Sequence, residues 1–433
     1  MTRFRWVVVA MIFVITMVNY IDRSAISYAI GDIARELHFN RHDEDLLSGF
    51  ILAAFSIGYM LTTLLGGVLA DRYGARKTLF WAALLWSISI GLTGFAVGFV
   101  MLACARVLLG VAEGPNFPAM NRGVADWLPS RERATALSNS LVAVPVALAL
   151  GAPISTQLMV HVGWRGMFIA LMVLGLAWLP LWWFLFRDLP EHSRFVNPAE
   201  LAHIRDEEAG HHAVSSALHS QSGREGSIWK YLLSNPTLLA NDWSFFVFGY
   251  FLFFFMTWLP TYLEKTYHFD LRQVGLFATL PWTVAALLLW GFGYLSDALL
   301  RKTGSLRIAR SHPIWISQLL AGLCILPLIF VHNRTVALVF ISLAVGLSMS
   351  ANAAFYAINV DVARDRAGTA LGVMDTFFAI SGFLAPLVTG WLVGVTQSFN
   401  AAFWLMAILA LSSAVVVILF HHPDRGERRR LTS

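Results

Sequence analysis

Apolar stretches of twenty or so residues recur along this chain from end to end, and they narrow the available folds more than any other feature. A helix rises 1.5 Å per residue, so about 20 apolar residues cross a hydrocarbon layer about 30 Å thick with every backbone hydrogen bond made internally. Only 13% of the 433 residues are charged, where a soluble protein of this size carries roughly a quarter. The pattern predicts an all-α polytopic membrane protein. About twelve spans are expected, near 6–34, 44–69, 78–98, 100–126, 134–160, 165–187, 238–263, 272–299, 312–331, 335–362, 368–396 and 399–420. No cleavable signal is expected, because the first apolar stretch is too long for one.

Lys and Arg set the orientation. With an even number of spans, both termini share a side. The tails, the central loop and the loops on that side hold 22 of the 31 basic residues, among them Arg72, Arg76, Lys77, Arg131, Arg133, Arg301, Lys302, Arg364 and Arg366. The opposite loops hold six: Arg35, Arg41, Arg165, Lys265, Arg272 and Arg334. Both termini are therefore expected in the cytoplasm. A positive inner face accounts for the formal charge of +5 without a nucleic-acid partner, and the tail "DRGERRR" suits anionic membrane lipid. Cys104 and Cys324 each sit in an apolar helix and imply no disulfide framework. The loop stretch "HHAVSSALH" lacks regular ligand spacing, so no metal and no cofactor is expected.

One polar segment interrupts the rhythm. The expected organisation is a six-helix bundle over 1–187, a cytoplasmic linker over 188–236, a second six-helix bundle over 237–421 and a basic cytoplasmic tail over 422–433. Within the linker, "NPAELAHIRDEEAG" reads as a short surface helix with Asn197 as N-cap and Pro198 at its first position. The two halves echo each other. "GGVLADRYGARK" (66–77) parallels "GFGYLSDALLRK" (291–302), and "RATALSNS" with "GAPISTQL" parallels "AGTALGVM" with "LAPLVTGW" about 233 residues on. Repeats of half the chain length in a helical membrane protein point to a secondary transporter. Such proteins bind substrate near the midplane and rock one half against the other.

Four charges break the apolar helices. Sixteen residues of helix separate Trp6 from Asp22 and climb roughly 24 Å, which buries Asp22 and Arg23 deep in the layer. Arg106 and Glu113 lie seven residues apart, two turns along one helix face. Arginine stays charged and offers a planar fork suited to a carboxylate, while a carboxyl in an apolar cavity takes up a proton readily. Fixed cations beside titratable acids are what a proton-coupled anion carrier needs. The alternative is a pair of internal salt bridges, Asp22–Arg23 and Arg106–Glu113, that only orient helices. Buried ion pairs stabilise less than apolar packing does, which weighs against it.

The Gly67, Asp71, Arg72, Gly74, Arg76, Lys77 pattern resembles the loop motif of the major facilitator superfamily. With "NYIDRSAIS" in the first span and "RVLLGVAEGPNFPAMNR" in the fourth, the chain is similar to the anion:cation symporter family within it. The resemblance spans all twelve helices. It implies that Arg23 clamps the anion and that Asp22 and Glu113 couple protons, with Arg106 either binding substrate or tuning Glu113. It also implies tyrosine contacts to the anion at Tyr20 and Tyr59. The loop motif would gate the conformational change, with Asp71 pairing to the inner end of the eleventh span.

Further candidates to line the cavity are Asn116, Asn121, Tyr250, Asn352, Tyr356, Asn359 and Asp375. Gly114–Pro115 and Phe117–Pro118 are expected to loosen the fourth span and free carbonyls for Asn side chains. Asp361 reads as a structural partner of Arg364. Asp375 lies deep in the eleventh span with no basic neighbour, poised to hold a proton, bond a substrate hydroxyl or tie two helices. Val144 and Phe245 stand where sugar-acid relatives often carry glutamine, which leans towards a less hydroxylated carboxylate.

The expectation is a proton-driven, monomeric importer of a small organic anion, first a sugar acid of hexonate or hexuronate type, in a bacterial-type inner membrane by alternating access. An aromatic carboxylate or dicarboxylate is the alternative, followed by a proton-antiporting exporter. No nucleophile–base pair or metal cluster suggests an enzyme.

Overall fold

The computed structural model describes residues 2–40, 43–205, 232, 234–363 and 367–424. Most of the expected linker, including the "HHAVSSALH" stretch, together with Arg364, Arg366 and most of the basic tail, lies outside the described residues.

The described chain is helical throughout its apolar stretches. Its helices are α1 (Phe4–Glu36), α2 (Glu44–Gly94), α3 (Phe99–Glu113), α4 (Asn116–Trp127), α5 (Ser130–Leu185), α6 (Pro236–Tyr267), α7 (Leu271–Thr303), α8 (His312–Ile325), α9 (Arg334–Ser350), α10 (Asn352–Ala363), α11 (Ala367–Thr396) and α12 (Asn400–Phe420). Among the described residues, ten helical stretches are long and apolar enough to cross a membrane.

Local sequence explains where they start and break. Asn235 caps α6 by accepting from Thr237 N and Leu238 N, with Pro236 at the first helical position. Asp270 and Gln273 form a reciprocal capping box on α7. The expected loop at 70–77 is instead almost wholly helical and breaks only at Gly74, whose φ of 82° suits a residue without Cβ. Gly163, with φ 69°, breaks α5 the same way. The fourth apolar stretch is interrupted between α3 and α4, at Gly114–Pro115, as its sequence predicts. A Cβ on Gly114 would fall 2.1 Å from Thr62 Oγ1, so this break is also a close approach to α2.

α6 is the most deeply buried span, whereas α5 and α12 turn most of their surface outward. Both α1 and α6 run from the face that carries the chain ends (the terminal face) to the opposite one (the far face). At the terminal face the fully buried Glu200 accepts from Thr2 Oγ1, Phe4 N at 3.2 Å and Arg5 N at 3.1 Å. Arg5 also pairs with Glu132 at 2.7 Å. The helical turn that starts at 198 is thus tied to α1 and α5, and Asn197 Oδ1 caps it by accepting from Glu200 N at 2.9 Å.

First-half and second-half helices touch most closely towards the far face. Asp45 pairs with Lys265 there, and Thr279 Oγ1 donates to Ala149 O at 3.1 Å. Gly49 and Gly390 meet backbone to backbone: a Cβ on Gly49 would lie 2.7 Å from Pro386 O, and one on Gly390 would lie 3.0 Å from Gly49 Cα. Towards the terminal face the contact loosens. On the face of α2 that carries Gly49 and Ser56, Met60 is 40% exposed, and a Cβ on Gly67 would meet nothing within 4 Å. The helices therefore splay from a closed far face into a cleft open at the terminal face.

Candidate functional site

Where the splay begins, α1 and α3 bring four charged side chains together. Asp22, Arg23, Arg106 and Glu113 are each no more than 2% exposed. The pairing differs from the two in-helix salt bridges that spacing allowed: Arg23 Nε donates to Glu113 Oε2 at 2.5 Å, linking α1 to α3. Arg106 stays within electrostatic reach of Glu113, Asp22 and Arg23. Helical spacing fixes which residues share one helix face, but not the register between helices, so the cross-pair was not legible in the sequence.

Three aromatic rings enclose the Arg23 guanidinium. Its Cζ lies 4.8 Å from the centroid of Tyr20, 4.6 Å from Phe55 and 4.7 Å from Tyr59. Ring faces carry partial negative charge, so they hold the cation without using its N–H groups. With Nε engaged by Glu113, the free edge is Nη1 and Nη2, and neither meets a hydrogen-bond acceptor among the described residues. A buried, unpaired fork costs free energy that an incoming carboxylate would recover. Among the described residues, Asp22 has both oxygens, Arg106 its Nε and Nη1, and Glu113 its Oε1 without a hydrogen-bond partner.

The structure distributes the other candidates unevenly. Tyr20 and Tyr59 stand at the cluster. Asn116 is fully buried beside it, but its amide bonds to nothing among the described residues, so it does not satisfy the carbonyls freed by the helix break. Asn121, on α4, is exposed. From the second half, Asp375 on α11 and Tyr356 on α10 lie within electrostatic reach of Tyr20 and Tyr59. Asn352 is buried with a free Oδ1. Tyr250 packs near Thr389 in the second-half core. Asn359 is fully buried and spends its amide on Phe355 O and Met374 Sδ, at 3.2 and 3.0 Å, so it ties α10 to α11 instead of lining a cavity. Val144 and Phe245 are buried, and the Phe245 ring meets Tyr356 at 5.7 Å and Phe378 at 5.4 Å.

The loop-motif residues lie at the terminal face. Asp71 pairs with Arg122 of α4 at 3.1 Å, a first-half partner in place of the expected eleventh span. Gly74 lies against the Asp188 carboxylate, which accepts from Arg76 N at 2.8 Å. The Arg76 guanidinium sits 4.2 Å from the Trp183 ring, while Arg72 lies 5.5 Å from Tyr73. Gly67 has open space around it, and Lys77 is exposed. Asp361 lies 3.8 Å from Arg310 of the segment before α8, and its expected partner, Arg364, lies outside the described residues.

Three groups escaped sequence reasoning. Phe55 stacks on Tyr59 at 5.5 Å and also lies 5.7 Å from the Arg106 Cζ, so it touches both guanidiniums. Its signal was the four-residue spacing to Tyr59. Asn19 lies beside Glu113, four residues before Arg23. Asp242, in the second turn of α6, is buried, with Oδ1 unpartnered among the described residues.

The family model of the Major Facilitator Superfamily matches residues 12–308 and 303–433. The chain belongs to the major facilitator superfamily. It is thus a multi-pass membrane transporter and not an enzyme. Relatives of this superfamily transporter include the hexuronate transporter of Bacillus subtilis (strain 168), 30% identical and aligned over 97% of this chain and 95% of the relative. The probable galactarate/D-glucarate transporter GarP of Escherichia coli (strain K12) is 32% identical over 96% and 94%. The probable sulfoacetate transporter SauU of Cupriavidus necator is 31% identical over 94% and 91%. In fold, the transporter is similar to a crystal structure of a bacterial homolog of the human lysosomal transporter Spinster in an inward-facing and occupied conformation. That match has a TM-score of 0.75 at 15% identity and covers 97% of both chains.

Proposed function

We propose that this facilitator imports a small organic anion, of sugar-acid type, together with protons. The observation that carries the reading is the Arg23 fork, caged by three rings, tied at Nε to Glu113 and unpartnered at Nη1 and Nη2. The sugar-acid and sulfoacetate transporters among its relatives support an anionic substrate.

Arg23 takes the substrate carboxylate end-on through Nη1 and Nη2. An ionised Glu113 competes for the same cation, so a proton on Glu113 frees the guanidinium for the anion and couples the two. Asp22 is the second proton site, and Arg106 holds the acids in balance. Two guanidiniums face three carboxyl groups, those of Asp22, Glu113 and Asp375. If all are ionised the cavity already carries one negative charge in excess, and an arriving anion makes two. Charge of that kind in a low-dielectric site is neutralised by protons. Import of an anion against a negative interior also needs them, since each elementary charge meets about 2.3 kcal/mol per 100 mV.

Two helical rods on either side of Gly74 and of Gly163 bring the spans to twelve, in two six-helix bundles joined by the linker. The terminal face, rich in Arg and Lys, is cytoplasmic, which makes the described state inward-open in a bacterial-type inner membrane. The Asp71–Arg122 pair is then the released form of a gate that closes against the second half when the cleft faces outward. The carrier works as a monomer.

A second reading, an aromatic carboxylate, draws on the Phe245, Phe378 and Tyr356 rings behind the second-half wall. Uptake into proteoliposomes decides between them. Acidifying the outside is expected to raise D-glucuronate uptake, with benzoate a weak competitor. Uptake indifferent to the proton gradient would remove the coupling, and tight benzoate competition would favour the aromatic reading.

A further inference from the structure

We propose that Asp375 is a charge filter: it makes the carrier select monocarboxylates whose far end bears hydroxyl groups and reject molecules with a second acidic group. The inference rests on the reading of Arg23 as the anion clamp.

The register of α2 against α11 places Asp375. The two helices run antiparallel. Gly49 meets Gly390 near the far face, and a Cβ on Gly382 would lie 2.7 Å from Ser56 Oγ, one contact further in. Seven residues separate Gly49 from Ser56, and eight separate Gly390 from Gly382. Such steps return to the same helix face. The next step of seven reaches Thr63 on α2 and Asp375 on α11, one turn beyond Tyr59. At that level the helices have parted: residues 60 and 61 of α2 are exposed, and 375–377 of α11 are half-buried. Asp375 therefore faces the cleft from the second half.

Its surroundings define what it reads. Tyr20 and Tyr59, two of the rings around Arg23, are in electrostatic reach of Asp375, as is Tyr356. Among the described residues no Lys, Arg or His pairs with it. A molecule held by its carboxylate on the Arg23 fork extends its other end past these tyrosines to Asp375. A hydroxyl there suits the carboxyl in either protonation form, accepting from it or donating to it. A second carboxylate does not, because two acids sharing a site cannot both ionise without cost. Like charges brought together across an interface are a recognised way to exclude a wrong partner.

D-glucuronate and D-glucarate form a matched pair of probes. They share six carbons of the same configuration, and the carbon far from the common carboxylate is a hemiacetal carbon bearing hydroxyl in glucuronate and a second carboxylate in glucarate. Titration calorimetry of the purified full chain at neutral pH is expected to show glucuronate binding about tenfold tighter than glucarate, or ~1.4 kcal/mol. Asp375→Asn is expected to bring the two within about threefold of each other, mainly by a gain for glucarate. Asp375→Ser provides the same comparison if the first variant does not fold. Equal affinity in the unaltered protein, or a ratio unchanged by either variant, overturns the filter while leaving the anion site intact. So does loss of both ligands in a folded Asp375→Asn protein. Binding of neither acid by the unaltered protein removes the sugar-acid reading itself, and the filter with it.

Discussion

On the α1 and α3 side of the cleft, two guanidiniums and two carboxyls are buried against one another, braced by Tyr20, Phe55 and Tyr59. The facing wall, from α10 and α11, offers Tyr356, Asn352 and one acid, Asp375, backed by phenylalanine rings. The contrast teaches a division of labour. Among the described cleft residues charge is concentrated in the first half, which is where the proposed anion capture and proton exchange would take place. The second-half wall carries one acid among the described residues, Asp375, and under the same proposal it would read the shape and polarity of the captured molecule.

The largest expected effect breaks the first half. Arg23→Lys keeps the charge but loses the planar fork, and is expected to weaken D-glucuronate binding at least about a hundredfold, ~2.8 kcal/mol, in calorimetry. Weakening of about threefold or less would contradict the clamp. Glu113→Gln is expected to abolish proton-driven accumulation in proteoliposomes while substrate exchange across the membrane persists. Retained accumulation would move the coupling to Asp22. On the other wall, Tyr356→Phe removes one hydroxyl and is expected to raise the Kd for D-glucuronate by only about three- to tenfold, without altering the proton dependence of uptake. A larger loss there would erase the asymmetry.

The smallest effect lies outside the cleft. Hydrogen bonds from Arg5 hold the Glu132 carboxyl below its ordinary value of 4.5. A carboxylate depressed on folding contributes stability above its unfolded pKa and loses that contribution as pH falls through the folded one. Thermal stability in detergent should therefore drop as pH is lowered from about 5.5, and drop less steeply in Glu132→Gln.

The four central charges were legible because an ion in an apolar helix has no ordinary explanation. Their partners were not, since spacing reports one helix at a time: Arg106 and Glu113 share a face, but Glu113 bonds Arg23 of another helix. Phe55 was hidden for a different reason. One phenylalanine among 32 is marked only by its four-residue spacing to Tyr59, which says nothing of the two cations beside it. The same holds for Asp71, whose partner Arg122 sits on another helix, α4. The start of the short helix at 198 followed from its cap, Asn197, whereas the break at Gly74 fell within a stretch expected to be loop.

The meeting of Gly49 and Gly390 at the far face has a consequence for turnover. A joint with no side chain on either surface freezes no rotamers when it shuts and releases none when it parts, so its closing is nearly free of side-chain entropy. Its grip comes from van der Waals fit over a short length of main chain, strong at contact and gone within an ångström or so. In the proposed alternating-access cycle, a part that reseats once per turnover would be well served by a latch of that kind. A single added methyl would wedge it and lengthen the dwell on the other side of the cycle.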